Sequence, residues 1–300
     1  MIVMIRLWIK RVGWGMFFAL GLPYVCTLMW QGAGCAGQLA NRSVYFFQDG
    51  RQYGVSRPEY LKGSCYSLLP EDAPVEAVRA VLVLLQTNLA YYERQSCLQS
   101  AVTCYTPAGT RAREMGLIPF MAYERKMDGL LDELGDEQYL IGETLYELPY
   151  FALSAGTTAD GAARAGGAYD YLVSVDSAWD VEAVSYMDIR TVSVQMLRER
   201  WGIAGDLEEV QMEYEARTGY VSEIVWEGGS VSAEQAANDL GLPSTAFSLS
   251  VSGESVRVMC KGFGHGLGLS LYGACAAAEE GLSYQQILTH YFPAPLRTSE

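Results

Sequence analysis

The chain has 300 residues, half of them hydrophobic and only 19% charged, which excludes a disordered polymer and leaves room for one large domain or two small ones. A formal net charge of −14 excludes nucleic acid as a partner, because phosphate binding needs clustered Lys and Arg. Any grip on an uncharged ligand must then come from hydrogen bonds and ring stacking, for which 20 tyrosines and 6 tryptophans supply the groups.

At the N-terminus, Arg6, Lys10 and Arg11 precede an uncharged run from Val12 to Trp30 that is about long enough to cross a bilayer. The positive residues lie before the run, so the expected topology is an N-terminal stub in the cytoplasm, one transmembrane helix, and the remainder outside. Residues 1–34 form this stub and anchor. A cleaved signal peptide is the rival reading, since its layout is similar. The length of the run and the bulky Leu28, Met29 and Trp30 at its end favour an anchor. Gly32-Ala33-Gly34-Cys35 is a third candidate, a lipidation box, but it has Gly three positions before the cysteine where Leu is expected.

Seven cysteines at 26, 35, 65, 97, 104, 260 and 275 are too scattered, and odd in number, for a disulfide framework. Cys97 and Cys104 are the one local pair, a candidate disulfide outside the membrane. The only histidines are His265 and His290, so a Cys/His metal site would have to recruit them from far along the chain; no metal or other cofactor is expected.

After the anchor, Val44 to Val55 reads as a hairpin turning at Asp49-Gly50. Pro74 opens a helix to Tyr92, with apolar residues at 75, 78, 82, 85 and 89. Arg111 to Leu134 is helix-like and interrupted by Pro119; residues 143–180 alternate short apolar runs with Gly, Ser and Thr, as strands and loops do. Ser193 to Trp201 is a short helix, and Gln211 to Trp226 a hairpin around Thr218-Gly219. Ser232-x-x-Gln235 opens a helix with a capping box and Gly241 closes it. Phe247 to Cys260 is a second hairpin, turning at Ser252-Gly253. Ser270 to Glu280 is helical and ends at Gly281; Ser283-x-x-Gln286 caps a last helix that stops before Pro293, and residues 294–300 are a tail. Hairpins interleaved with single helices predict an α+β fold over residues 40–293.

Between the second hairpin and the following helix lies Gly262-Phe263-Gly264-His265-Gly266-Leu267-Gly268-Leu269-Ser270-Leu271-Tyr272-Gly273-Ala274. Alternate glycines permit tight backbone conformations and close approach of another chain or a ligand. No Lys-Ser/Thr follows them, so this is not a phosphate loop. From its chemistry, His265 is either a hydrogen-bonded structural residue or a site residue.

This run resembles the GHGVGMSQYGA signature of the stage II sporulation protein D / LytB amidase-enhancer family. Leu240-Gly241-Leu242-Pro243-Ser244-Thr245-Ala246-Phe247 is similar to that family's LGLPSTxF. Gly281-Leu282-Ser283-Tyr284 through Ile287-Leu288 to Tyr291-Phe292-Pro293 is similar to its ending. The signature block thus spans 240–293. Shorter similarities extend over most of the chain after the anchor, at Pro58-Glu59-Tyr60-Leu61-Lys62-Gly63, Pro74 to Ala80, Ser154 to Thr158, and Tyr171 to Val175 with Trp179-Asp180.

The resemblance implies a fold of that family's type and a membrane-anchored protein facing the cell wall. It implies peptidoglycan glycan strands as ligand, with a cell-wall amidase and membrane proteins of the engulfment machinery as partners. Active relatives resemble lytic transglycosylases, in which one glutamate protonates the glycosidic oxygen and then helps the muramic C6 hydroxyl close onto C1. Counted without gaps from Lys62-Gly63 to Pro70, that glutamate's position holds Leu68, which can carry no proton. The expectation is therefore no catalytic residue, with Glu71 the candidate substitute in a rival reading of a still-active transglycosylase. The acidic pair Glu71 and Asp72 also suits the start of the following helix. Val81, Gln86 and Asn88 depart from the family's Gln, Arg and Tyr, whereas Thr87 is kept; Glu76 matches a structural glutamate and is expected to be solvated. The zinc that some members hold just after this helix is in doubt, since the region around Cys97 and Cys104 lacks histidine. The residues expected to contact glycan are His265, Ser270, Tyr272, Lys62 and Thr87.

Overall fold

The computed structural model describes residues 43–48, 51–95, 104–216 and 218–293. The expected anchor, Cys97, the hairpin turn at 49–50 and the tail lie outside these. No helix among the described residues is long and apolar enough to cross a membrane.

The first hairpin pairs β1 (Ser43–Gln48) with β2 (Arg51–Ser56) in the expected register, Val44 opposite Val55. It runs directly into α1 (Arg57–Leu68), which the sequence pattern did not reveal. Ser56 caps α1 by accepting from the Glu59 amide, and Pro58 suits its first turn. α2 (Val75–Arg94) matches the expected helix. Its burial is wider than one stripe: every residue from Ala80 to Ala90 is buried, because α2 is the central helix of the main core. It packs against α1, against α4 (Leu117–Leu134), and against the two last helices, α8 (Leu271–Glu279) and α9 (Tyr284–Tyr291).

The helix-like stretch from Arg111 is two helices, α3 (Ala108–Met115) and α4, and the break falls at Gly116 rather than Pro119. Pro119 occupies the first turn of α4, where a missing N–H costs nothing. The 143–180 region contains β3 (Tyr150–Phe151), α5 (Gly161–Ala165) and a 3-10 turn at Ala178–Glu182.

A second apolar cluster lies between two three-stranded antiparallel sheets. One has the order β4 (Met187–Ser193), β9 (Ser255–Lys261), β8 (Phe247–Ser252). The other runs β5 (Gln211–Tyr214), β6 (Val221–Trp226), β7 (Gly229–Ser232). The amphipathic α6 (Val194–Trp201) and α7 (Ala233–Leu240) contribute Leu197, Trp201, Ala236 and Leu240 to this core, beside Ile224, Phe247, Val256 and Val258. The capping box expected at Ser232 is half made: Ser232 accepts from the Gln235 amide, but the Gln235 side chain turns to Asp239. At Ser283 both halves of the box form. Helices and strands thus mix throughout, and the architecture is α+β.

Candidate functional site

The glycine-rich motif closes on the segment 149–153. Its first arm pairs antiparallel there, with Phe263 and Leu153 exchanging main-chain bonds at 2.7 and 3.1 Å. Its second arm, β10 (Leu269–Ser270), lies parallel to β3, and Tyr272 N donates to Ala152 O at 3.1 Å. Gly268 has φ +79, and a Cβ there would stand 2.1 Å from Pro149 O, so only glycine allows this approach.

Behind this strand pair lies a network that the motif reading had not resolved. Asp180 is fully buried. It accepts from Ser270 Oγ at 2.6 Å, from Ser154 Oγ at 2.8 Å, and from Ser177 Oγ, which in turn bonds Tyr291 Oη at 2.7 Å. Ser270 also caps α8 by accepting from the Gly273 amide at 3.2 Å. A Cβ at Gly273 would fall 2.1 Å from Tyr291 Oη. Four sequence blocks, with direct bonds spanning up to 114 residues, therefore meet around one carboxylate. Each block was visible as a resemblance; nothing in the sequence linked them.

This geometry sorts the five residues expected to contact glycan. Ser270 is fully buried, and its hydroxyl serves Asp180 and the helix cap. Thr87 is also fully buried, donating to Val83 O at 2.7 Å and accepting from Tyr139 N at 2.9 Å. Its neighbours Val81, Gln86 and Asn88 are equally buried, so these family positions line the core around α2 rather than a cleft. Lys62 turns inward to α4, with Nζ 2.9 Å from Glu124 and 2.5 Å from Asp128. Burial works against its ammonium, but hydrogen bonds to Asp128 and Glu124 outweigh this and raise its pKa. His265 and Tyr272 do reach solvent. Glu76, expected to be solvated, instead bonds Arg79 at 2.6 Å and accepts from the Tyr284 amide at 2.8 Å, capping α9 from across the core.

His265 Nδ1 accepts from the Leu267 amide at 3.1 Å, and the imidazole sits 5.7 Å from the Phe151 ring. Partial desolvation by this packing lowers its pKa; a hydrogen bond to the Tyr150 main chain opposes the shift and the Arg164 charge adds to it. The exposed Phe263 and Tyr272 come from the two motif arms, whose main chains bond to adjacent residues, Leu153 and Ala152. Phe263 had not been singled out. Nor had Glu147, which acts electrostatically on His265 and accepts from Tyr92 Oη at 2.6 Å and Tyr169 Oη at 3.1 Å.

Leu68 ends α1, half-buried against the main core. The turn after it carries Glu71 and Asp72, both exposed. This turn lies beside α8: burial pushes the Cys275 thiol up to about 11, with Glu279 and then Asp72 adding their charges. Other acids around α1 are committed. Glu59 and Glu124 hold the buried Arg111 at 3.1 and 2.7 Å, and Glu114 accepts from Tyr66 Oη.

The described residues hold no group of three His, Cys, Asp or Glu side chains able to bind a metal. His290 Nε2 is 2.7 Å from Asp176 O.

An α+β protein organised around this glycine-rich clamp is similar to curated proteins named stage II sporulation protein D and amidase enhancer. It is 34% identical over 148 residues to stage II sporulation protein D of Bacillus amyloliquefaciens, covering 49% of this chain and 43% of that protein. It is 29% identical over 247 residues to stage II sporulation protein D of Bacillus subtilis (strain 168), 78% of this chain and 72% of the relative. Over 39 residues it is 56% identical to the amidase enhancer of Bacillus subtilis (strain 168), which is 13% of this chain and 6% of that protein. No family model matches the chain.

Proposed function

We propose that this chain is an extracytoplasmic, membrane-anchored protein that binds peptidoglycan glycan strands without cleaving them, and acts as an enhancer or scaffold for a wall amidase. The names of its relatives connect the family with sporulation and with amidase enhancement. The observation that carries the non-catalytic reading is Leu68, an aliphatic side chain half-buried on the main core where relatives of this type are expected to hold a proton donor. Losing a positioned general acid lowers rate by about 10²–10⁴-fold. The rival reading places that role on Glu71. A general acid works where water is excluded and the leaving oxygen is in reach, whereas Glu71 is exposed in a surface turn. Tyr272 and Phe263, exposed on the same motif as His265, offer rings for sugar stacking, which suits an acidic protein that cannot rely on charge.

Denuded glycan strands incubated with the protein are expected to give saturable binding and no anhydro-muropeptides. Tyr272→Ala should weaken binding about tenfold, as the loss of one stacked ring of roughly 1.4 kcal/mol implies, with melting unchanged. Abundant anhydro product that disappears in Glu71→Gln would overturn the non-catalytic reading.

A further inference from the structure

Exposed apolar side chains gather at the junction of α3 and α4. Leu117, Ile118 and Met121 are 57%, 82% and 53% exposed, with Pro119 and Ala122 exposed beside them. The tip is firmly seated: Phe120, between them, is buried, and the Arg111 guanidinium lies 5.9 Å from its ring. One turn further along α4 come Arg125 and Lys126, both exposed, and Arg113 is exposed on α3. None of these three cations forms an ion pair among the described residues. Helical spacing places Leu117, Met121 and Arg125 in one row and Ile118, Ala122 and Lys126 in the next. In a chain of net charge −14, the stretch from Ala108 to Lys126 carries four basic residues and two acidic ones. Both acids are occupied, Glu124 by Lys62 and Arg111, Glu114 by Tyr66.

We propose that this tip docks on an anionic lipid bilayer, with the N-terminal end of α4 entering first. The layering fits the depth profile of a membrane. Interfacial helices bury apolar groups about 5–10 Å below the headgroups. Four residues of helix rise about 6 Å, which sets Arg125 and Lys126 at phosphate level when Met121 and Ala122 are immersed. The uncapped N-terminus of α4 turns its positive dipole end to the same surface. Of the remaining acids of α4, Asp128 is held by Lys62 and Glu133 by Arg79, and Asp132 stands about 20 Å behind Ile118, beyond two screening lengths at physiological salt. A groove on a partner protein would cover the apolar tip but has no reason to demand cations one turn behind it. The inference stands apart from the glycan reading, since it uses none of the residues proposed there to contact glycan.

Hydrogen exchange on the full chain tests it, with nanodiscs of phosphatidylcholine alone or mixed with phosphatidylglycerol. The Leu117 and Ile118 amides lack helical acceptors and exchange quickly when free. Expected is at least about tenfold slowing at 117–122 with the anionic discs, little slowing with the neutral ones, and reversal in high salt or in Arg125→Glu/Lys126→Glu. The melting temperature of that variant should match the parent, because both side chains are exposed. Equal exchange in the two lipids, or slowing that requires an added protein rather than anionic lipid, would overturn the proposal.

Discussion

Asp180 accepts hydroxyl protons from Ser154, Ser177 and Ser270 inside the main body of the protein, and Tyr291 extends the chain of bonds. Removing the carboxylate strands three buried hydroxyls, each of which costs roughly 1–3 kcal/mol when left unpaired. Asp180→Ala is therefore expected to destabilise the protein by at least about 3 kcal/mol in denaturant titration, and Asp180→Asn by less, since an amide still accepts one of the bonds. His265 lies at the edge of the same clamp and has the opposite relation to charge. Its folded pKa is below the ordinary value of 6.5, so the unfolded chain takes up a proton that the folded protein resists. Its stabilising contribution is complete above that value and is eroded as pH falls through it. His265→Gln should accordingly show a flatter dependence of stability between about pH 7.5 and 5.5 than the parent. An NMR titration placing the His265 midpoint at or above 6.5 would contradict this.

At the scale of elements, the glycine-rich motif serves backbone packing. Gly268 and Gly281 both have positive φ, yet they differ in surroundings: a Cβ at Gly268 collides with Pro149 O, whereas at Gly281 it meets open space. Gly281→Ala should cost only left-handed strain, about 1–2 kcal/mol. Gly268→Ala must also part β3 from β10, and is expected to cost more than about 3 kcal/mol and to lower soluble yield. Elements with local signals were readable from sequence: the first hairpin through its alternation, α2 through its apolar spacing, and α9 through its Ser283–Gln286 box. α1 was not. Its residues from Tyr60 to Cys65 are all buried, including Lys62 and Ser64, so no stripe distinguishes one face from another. β4 and β7 escaped for a related reason, since neither carries a clean buried-exposed alternation.

Across the whole molecule, two apolar clusters divide the work. The main core surrounds α2, and the second lies between the sheets of residues 187–261. The Arg164–Glu215 ion pair at 2.5 Å, with Arg164 5.0 Å from the Tyr220 ring, ties the second region to the glycine-rich clamp. Separate clusters can open separately. Leu197 is fully buried in the second cluster, and Leu197→Ala should cost about 2–5 kcal/mol. Hydrogen exchange is expected to speed up across β4, β8 and β9 while the amides of α2 keep their protection. Loss of protection in both regions together would mean that the clusters unfold as one unit.

The sequence by itself determined most local elements, the similarity to stage II sporulation protein D, and the absence of a carboxylate at position 68, because those depend on residues near one another in the chain. Only the tertiary structure decided which motif residues face water. Ser270, Thr87 and Lys62 look available in sequence, but partners 90, 52 and 62 residues away consume their hydrogen-bonding groups. Burial of a polar side chain is favourable only when such partners arrive, and their arrival is a property of the packed chain as a whole.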